Sequence, residues 1–337
     1  MKNWLDKYIN QIVCGNALKL LEEIPDNSVT LTITSPPYFQ QREYENGGIG
    51  NEKSTDEYIE KLIATLKEVV RVTKNNGSIV FNLGDKYDDR GGLLLIPYKF
   101  AQDALDKCNL SLINSLMWLK KNPTPRQFKK RLVSAYEPFF IFVKSKDYIF
   151  NLDKFDQSEK KVNTNHKNTQ IGQNYFKLID KSDLSEQEKK QARLELSGTI
   201  EDVKLGKLYS FRMKIRGIHA LPFGGQNGGR LYHIKNKGFT IIKIHGNKLK
   251  PDYIINPVET IKGAKHPAVF PLDLIKELVK LLSNENDIVL DPFIGSGTTA
   301  VSAHILNRKY IGIDISQYYC DYAINRIRNL KVQDKLL

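Results

Sequence analysis

Short apolar, β-branched runs alternate with amphipathic stretches between residues 10 and 144, and the same alternation returns after residue 256. In the first part, 10–14, Val29–Thr34 (VTLTIT), 78–82 (SIVFN), 110–119 and 138–144 (PFFIFVK) read as strands. Residues 17–23, Thr55–Val72 and 94–107 read as helices. Over Thr55–Val72, the residues Tyr58, Ile59, Leu62, Leu66, Val69 and Val70 share one helical face, and Thr55 is placed to cap it. In the last part, 271–282 reads as a helix and 287–290 as a buried strand. A glycine-rich turn, a helix over 298–306, a strand over 310–313 and a helix from 316 to about 330 follow. Parallel strands need long crossovers, and helices supply them, so alternation of this kind predicts an α/β fold: a mostly parallel sheet with helices on both faces.

The texture between the two parts differs. Residues 151–203 carry nine Lys/Arg against ten Asp/Glu, and 184–198 reads as a helix with a Ser185/Glu188 capping box and Gly198 at its stop. Residues 204–250 hold eleven Lys/Arg and no acid, with Gly224, Gly225, Gly228 and Gly229 in a loop and a strand over 240–245. The expected division is therefore 1–150 and 256–337 as two parts of one catalytic domain, with 151–255 inserted. At 337 residues and 41% hydrophobic residues, the chain can fill a large core and a smaller one. Three scattered cysteines (Cys14, Cys108, Cys320) argue against a disulfide framework, and no Cys/His cluster offers a zinc site. With no apolar leader and no run of membrane-spanning length, a cytoplasmic protein is expected.

The run IVLDPFIGSGTTAVSAHIL places a glycine turn between a strand and a helix. Ligands of open parallel sheets bind beyond the carboxyl ends of strands. Gly295 and Gly297, on either side of Ser296, remove side chains where a backbone would approach a ligand. The helix start at Thr298 offers free N–H groups and a partial positive charge. Asp314 lies 23 residues after Asp291 at the end of the next strand, where an acid can bind both hydroxyls of a ribose. The turn lacks the GK[ST] of a P-loop, and the combination points to an adenosine-containing cofactor.

The strand VTLTIT runs into Ser35-Pro36-Pro37-Tyr38. Two prolines remove two N–H donors, so the carbonyls of this turn are expected to be free to accept. Ser35 adds a hydroxyl and Tyr38 a flat ring that can stack on a base. An exocyclic amine has its lone pair delocalised into the base. Acceptors placed around its protons favour pyramidal geometry and aim the lone pair at an electrophilic methyl group, with no covalent enzyme intermediate.

On these residues the chain resembles the DNA amino-methyltransferases of restriction–modification systems. TSPPY matches their catalytic motif, in the serine form typical of N4-cytosine enzymes, and DPFIGSGTT matches their cofactor turn. The catalytic motif precedes the cofactor turn, as in the circularly permuted β group. The resemblance extends over most of 10–150 and 256–330, through IPDNSVTLTITSPPY, GSIVFNLGD, WLKKNPTP, RLVSAYEPFFIFVK and KHPAVFP. It implies a Rossmann-like fold and S-adenosyl-L-methionine as cofactor. Ser35, Pro36, Pro37 and Tyr38 are then set at the target amine and base. Asp291, Phe293, Gly295, Ser296, Gly297 and Thr298 fall at the cofactor, Asp314 at its ribose, and His266 and Phe270 at its methionine part. Where the family often has Gly-Asp after a further strand, this chain has Gly15-Asn16, so Asn16 becomes the candidate for the adenine edge.

The family places target recognition where the basic stretch lies. Its cations can neutralise phosphates of double-stranded DNA, and Arg212, Lys214, Arg216, Gln226, Asn227, Arg230 and Lys235 are candidates for contact. A C5-cytosine enzyme is excluded, since none of the cysteines follows a proline as that nucleophile does. The expected activity is sequence-specific N4-cytosine methylation of a flipped base, with a separately acting restriction endonuclease as a possible companion. N6-adenine transfer is the nearest alternative; RNA or protein-glutamine methylation and a non-catalytic DNA-binding module are more distant.

Overall fold

The computed structural model describes residues 4–41, 48–123, 128–155, 171–221, 229–244, 251–259 and 270–333. His266, Gln226 and Asn227 lie outside the described residues. The chain divides into two compact units, one of residues 1–157 and 251–337, the other of 158–250.

The larger unit opens with α1 (Trp4–Tyr8), β1 (Gln11–Cys14), α2 (Ala17–Leu21), β2 (Val29–Thr34), α3 (Thr55–Val72), β3 (Thr73–Asn82), α4 (Ile96–Cys108), β4 (Ser111–Lys120) and β5 (Tyr136–Val143). The smaller unit holds α5 (Gln173–Asp180), α6 (Glu186–Lys204), β6 (Ser210–Ile215), α7 (Arg230–Lys237) and β7 (Phe239–Ile244). The larger unit resumes with β8 (Tyr253–Asn256), α8 (Leu272–Leu282), β9 (Ile288–Asp291), α9 (Thr298–Ile305), β10 (Lys309–Asp314) and α10 (Gln317–Gln333). Its eight strands form one sheet in the order β1-β10-β9-β2-β3-β5-β4-β8. Every pairing is parallel except the two made by β5. The sheet is thus mostly parallel, as the alternation of elements requires.

Side chains leave a strand alternately to its two faces. In β3, Phe81 joins the core under α2, α3 and α4 and Val80 the core under α8 and α9; in β2, Leu31 and Ile33 join the second core, while Val29, on the other side of a register irregularity, joins the first. All six residues of β2 are buried, which explains its unbroken apolar and threonine run. Each Leu or Ile so buried contributes about 1.5–3 kcal/mol. Helices therefore cover both faces, and only the strand ends remain for chemistry.

Several local readings are corrected. Ser54, not Thr55, caps α3, its hydroxyl accepting from the Glu57 N–H. The Ser185/Glu188 capping box is present, but α6 continues through Gly198 to Lys204. The strand β8 was not legible. It adds to the edge of the main sheet beside β4, through Met117↔Tyr253 to Lys120↔Asn256. Among the described residues, no helix is long and apolar enough to cross a membrane.

Candidate active site

Parallel pairing brings the carboxyl ends of β1, β10, β9, β2 and β3 to one edge of the sheet. The strand β5 runs against β3, so its amino end, with Glu137, reaches that same edge. The double-proline turn and the glycine turn leave the adjacent strands β2 and β9 there. One side chain ties them: the Asp291 carboxylate accepts from Thr34 Oγ1 at 2.6 Å, Thr299 Oγ1 at 2.7 Å and the Phe293 N–H at 3.1 Å. Asp291 is 2% exposed. Burial raises its pKa to about 6, against the pull of those three donors. Its carboxylate is filled by the protein, so its contribution to the glycine turn is to hold the backbone in place.

At the double-proline turn, Tyr58 of α3 donates its hydroxyl to the Pro37 carbonyl at 2.8 Å. That carbonyl is therefore not free, contrary to the expectation from the two missing N–H groups. Among the described residues, the Pro36 carbonyl takes no such bond. Pro36 itself is buried and Ser35 half-buried. Ser35 Oγ donates toward Tyr38 Oη at 3.3 Å and Asn82 Oδ1 at 3.4 Å. Tyr38 Oη in turn lies 2.8 Å from Asn82 Oδ1 and 3.0 Å from Glu137 Oε2. The Asn82 amide donates to the Pro138 carbonyl at 3.0 Å, which fixes its oxygen toward the two hydroxyls. Lys120 of β4 binds the other Glu137 oxygen at 2.5 Å. Burial and the neighbouring Glu137 charge push the Tyr38 phenol well above its ordinary range, so it remains protonated. The Tyr38 ring rests on Gly84, where a Cβ would come within 2.4 Å of it.

At the glycine turn, Asp314 accepts from the Gly295 N–H at 3.0 Å and the Ser316 N–H at 2.9 Å, and burial raises its pKa. Gly295 has φ +47° and Gly297 φ +85°. The reason for Gly297 is packing: a Cβ there would lie 2.7 Å from that of Ala323 on α10. Arg326 of α10 donates to the Ser296 carbonyl at 2.6 Å and to Thr298 Oγ1 at 3.1 Å, while Ser296 Oγ and Thr298 Oγ1 are 3.3 Å apart. Phe293 is half-buried. Asn16 caps α2, accepting from the Lys19 N–H at 3.3 Å, and its neighbour Gly15 donates to the Asp314 carbonyl at 2.8 Å. Asn16 thus sits at the same edge as Asp314. The Phe270 ring stacks at a tilt on Phe139 of β5, with centroids 5.4 Å apart.

Asn82, Glu137, Lys120, Thr34, Tyr58 and Arg326 were not singled out by sequence. The signal available for Glu137 was an acid directly before the apolar run PFFIFV, but only strand register shows what faces it.

In the smaller unit, β6 and β7 form a two-stranded antiparallel sheet, with α7 in the connection between them, and Met213, Ile215 and Phe239 pack with Ile179, Ala192 and Leu196 of the helices. Arg212 and Lys214 alternate with these inward residues and lie on the opposite face. Arg230 and Lys235 are on α7. Arg216 is held by Glu188 at 2.8 and 3.1 Å and by Asp183 at 3.3 Å. Lys237 pairs with Glu195 and Lys243 with Asp202. The acid-free stretch therefore draws its counter-charges from the segment before it. Among the described residues, no carboxylate pairs with Arg212, Lys214, Arg230 or Lys235.

Residues 29–325 match the family model described as DNA methylase, for N6 and N4 methyltransferases. The chain is 27% identical to the Type II methyltransferase M.SfiI of Streptomyces fimbriatus, over 92% of this chain and 89% of that one. It is 29% identical to the orphan methyltransferase M.BamHII of Bacillus amyloliquefaciens, over 93% and 94%. Among solved structures, the PvuII DNA methyltransferase (cytosine-N4-specific) superposes with a TM-score of 0.59 at 18% identity, covering 94% of this chain and 85% of that one. The M1.HpyAVI complex with S-adenosyl-L-methionine gives 0.51 at 20% identity, covering 94% and 98%. These likenesses share the Rossmann-like architecture found here. With both motif turns on one edge and a family match running from the first residue of β2 into α10, the chain belongs to the N6/N4 DNA methylase family.

Proposed function

We propose that this protein methylates the exocyclic N4 of cytosine in duplex DNA at a specific sequence, using S-adenosyl-L-methionine, as the modification enzyme of a restriction–modification system in the permuted β group. The observation that carries this reading is the Asp291 carboxylate joining Thr34 to the glycine turn, which sets the amine-binding loop beside the cofactor loop. The residues present fit the cofactor. Asp314 still has lone pairs for a ribose diol, the first N–H groups of α9 have no partner within the helix, and Asn16 flanks the same edge. When bound, the cofactor supplies a methyl group on a positively charged sulfur.

The rest is done by the chain. The Ser35 hydroxyl and the Pro36 carbonyl are two acceptors for the two amine protons, and together they favour a pyramidal nitrogen with its lone pair turned to the methyl. Tyr58, by holding Pro37, and Asn82, by holding Tyr38 and Ser35, keep these acceptors at fixed separation before the base arrives. A base inside the duplex cannot reach this edge, so it is flipped out, at a cost of a few kcal/mol. The insert, 151–255, supplies target recognition: Arg212, Lys214, Arg230 and Lys235 contact phosphates, with Gln226 and Asn227 as base readers. The seryl form of the motif favours cytosine over adenine.

Ser35→Ala tests the reading. It should abolish methyl transfer to duplex DNA while leaving the calorimetric affinity for S-adenosyl-L-methionine within about twofold, since Ser35 is on the base side. A mutant that methylates at the wild-type rate removes the hydroxyl from the mechanism.

A further inference from the structure

A methylated exocyclic amine carries one hydrogen too many. As the nitrogen–methyl bond forms and the carbon–sulfur bond breaks, the nitrogen becomes cationic and must lose a proton. The groups nearest to it in the proposed site are poor bases: a serine hydroxyl, a proline carbonyl and, behind them, the carboxamide of Asn82. Asn82 occupies the hydrogen-bonded centre of the site but has no ionisable group. Among the described residues, the carboxylate within hydrogen-bond reach of the Ser35–Tyr38 pair is Glu137, at 3.0 Å from Tyr38 Oη.

We propose that Glu137 is the terminal proton acceptor of the reaction, acting through a relay from Ser35 Oγ to Tyr38 Oη to Glu137 Oε2. The inference rests on the reading of Ser35 as the amine-binding hydroxyl. The hydrogen bonds already run in the needed direction: Ser35 donates to Tyr38 at 3.3 Å and Tyr38 donates to Glu137. The amine N–H bond breaks and its electron pair returns to nitrogen. Its proton passes to Ser35 Oγ, the serine proton to Tyr38 Oη, and the tyrosine proton to Glu137 Oε2, leaving a neutral carboxylic acid and two intact hydroxyls. Glu137 then gives the proton to water, and the site is reset. No co-reactant is required.

Three observations support this assignment. The Tyr38 hydroxyl has two acceptors, Asn82 Oδ1 at 2.8 Å and Glu137 Oε2 at 3.0 Å, and only the carboxylate is a base. The Glu137 side chain is 14% exposed, so it keeps an outlet to water for the reset while Tyr38 Oη is in direct contact with it. Lys120 holds the second oxygen, which orients the carboxylate with Oε2 toward Tyr38 before each turnover. The titratable groups facing Glu137 are the Lys120 ammonium from β4 and the neutral Tyr38 phenol from the loop after β2; β3 presents the neutral Asn82. In this relay Glu137 acts through the two hydroxyls, as a positioned proton acceptor one step behind them.

The test is single-turnover methylation of duplex DNA as a function of pH, with Glu137→Gln, Tyr38→Phe, the double variant and Ser35→Ala. The carboxamide of E137Q keeps the shape and a hydrogen-bond acceptor for Tyr38 but cannot take a proton. The relay predicts a loss of at least about tenfold in the rate constant for E137Q. It also predicts that the acid limb of the wild-type pH profile disappears, while the calorimetric affinity for S-adenosyl-L-methionine and the KM for DNA stay within about twofold. Y38F should lose as much, and the double variant no more than either single one, because both break one chain. E137Q at the wild-type rate, or slowed with its acid limb intact, overturns the relay while an inactive S35A leaves the amine reading standing. An active S35A overturns both.

Discussion

Gly84 has no side chain where Tyr38 needs room, and the consequence is measurable. A Cβ at that position would stand 2.4 Å from the ring, so Gly84→Ala must move Tyr38 away from Asn82 and Glu137. A displacement of about 1 Å at such a site lowers turnover about a hundredfold. We expect that loss for G84A with cofactor affinity retained; unchanged turnover would mean the ring position is irrelevant. Asp291 gives a pH signature. Its pKa rises from 3.8 to about 6 on folding, so the charged form is disfavoured in the folded state. Stability from this group is full below about pH 4 and is lost as pH rises through about 6. Between about pH 4.5 and 7 the change is about 2 kcal/mol. Urea unfolding of the wild type and Asp291→Asn at those two pH values should show the gap between them shifting by that amount in favour of the variant at the higher pH. A parallel pH dependence of both proteins would contradict the assigned burial.

At the scale of elements, the strand–turn–helix of β9 and α9 was legible because two glycines and an acid mark its ends, and β2 because every residue in it is apolar or threonine. What was illegible depends on partners distant in the chain. The four residues of β8, two of them exposed, carry no pattern until β4 pairs with them. The acids of α6 lie 28 and 42 residues before the cations they neutralise at Arg216 and Lys237, so the charge of the basic stretch looked unopposed. That difference separates two kinds of arginine. Arg216→Ala should lower the unfolding free energy by about 1 kcal/mol, since its pairs are partly exposed, and leave the salt dependence of DNA affinity unchanged. Arg212→Ala and Lys214→Ala should each reduce the slope of log affinity against log salt by about 1, with little effect on stability. Fluorescence titration of duplex DNA at several salt concentrations distinguishes them; equal slopes for all three variants would contradict the distinction. In the glycine turn, Gly297→Ala combines φ +85° with a 2.7 Å approach to Ala323, and we expect it to cost about 1–3 kcal/mol by chemical denaturation.

For the whole molecule, β1 pairs with β10, from Gln11↔Ile311 to Cys14↔Asp314, although they come from opposite parts of the sequence. Asp314 and Asn16 become neighbours through that pairing, and the 23-residue spacing of Asp291 and Asp314 in sequence becomes adjacency of β9 and β10. The order of motifs along the chain was readable, but the closing of the site follows from the sheet order, in which β2 lies beside β9. In the proposed reaction, methylation depends on one shared edge, with the double-proline loop on one strand and Asp314 on another. The most direct measurement is to incubate the protein with duplex DNA and S-adenosyl-L-methionine labelled in its methyl group, digest the DNA to nucleosides and identify the labelled one by mass. N4-methylcytosine is the expected product. Labelled N6-methyladenine would contradict the assigned base, and the absence of any labelled nucleoside would contradict transfer at this edge altogether.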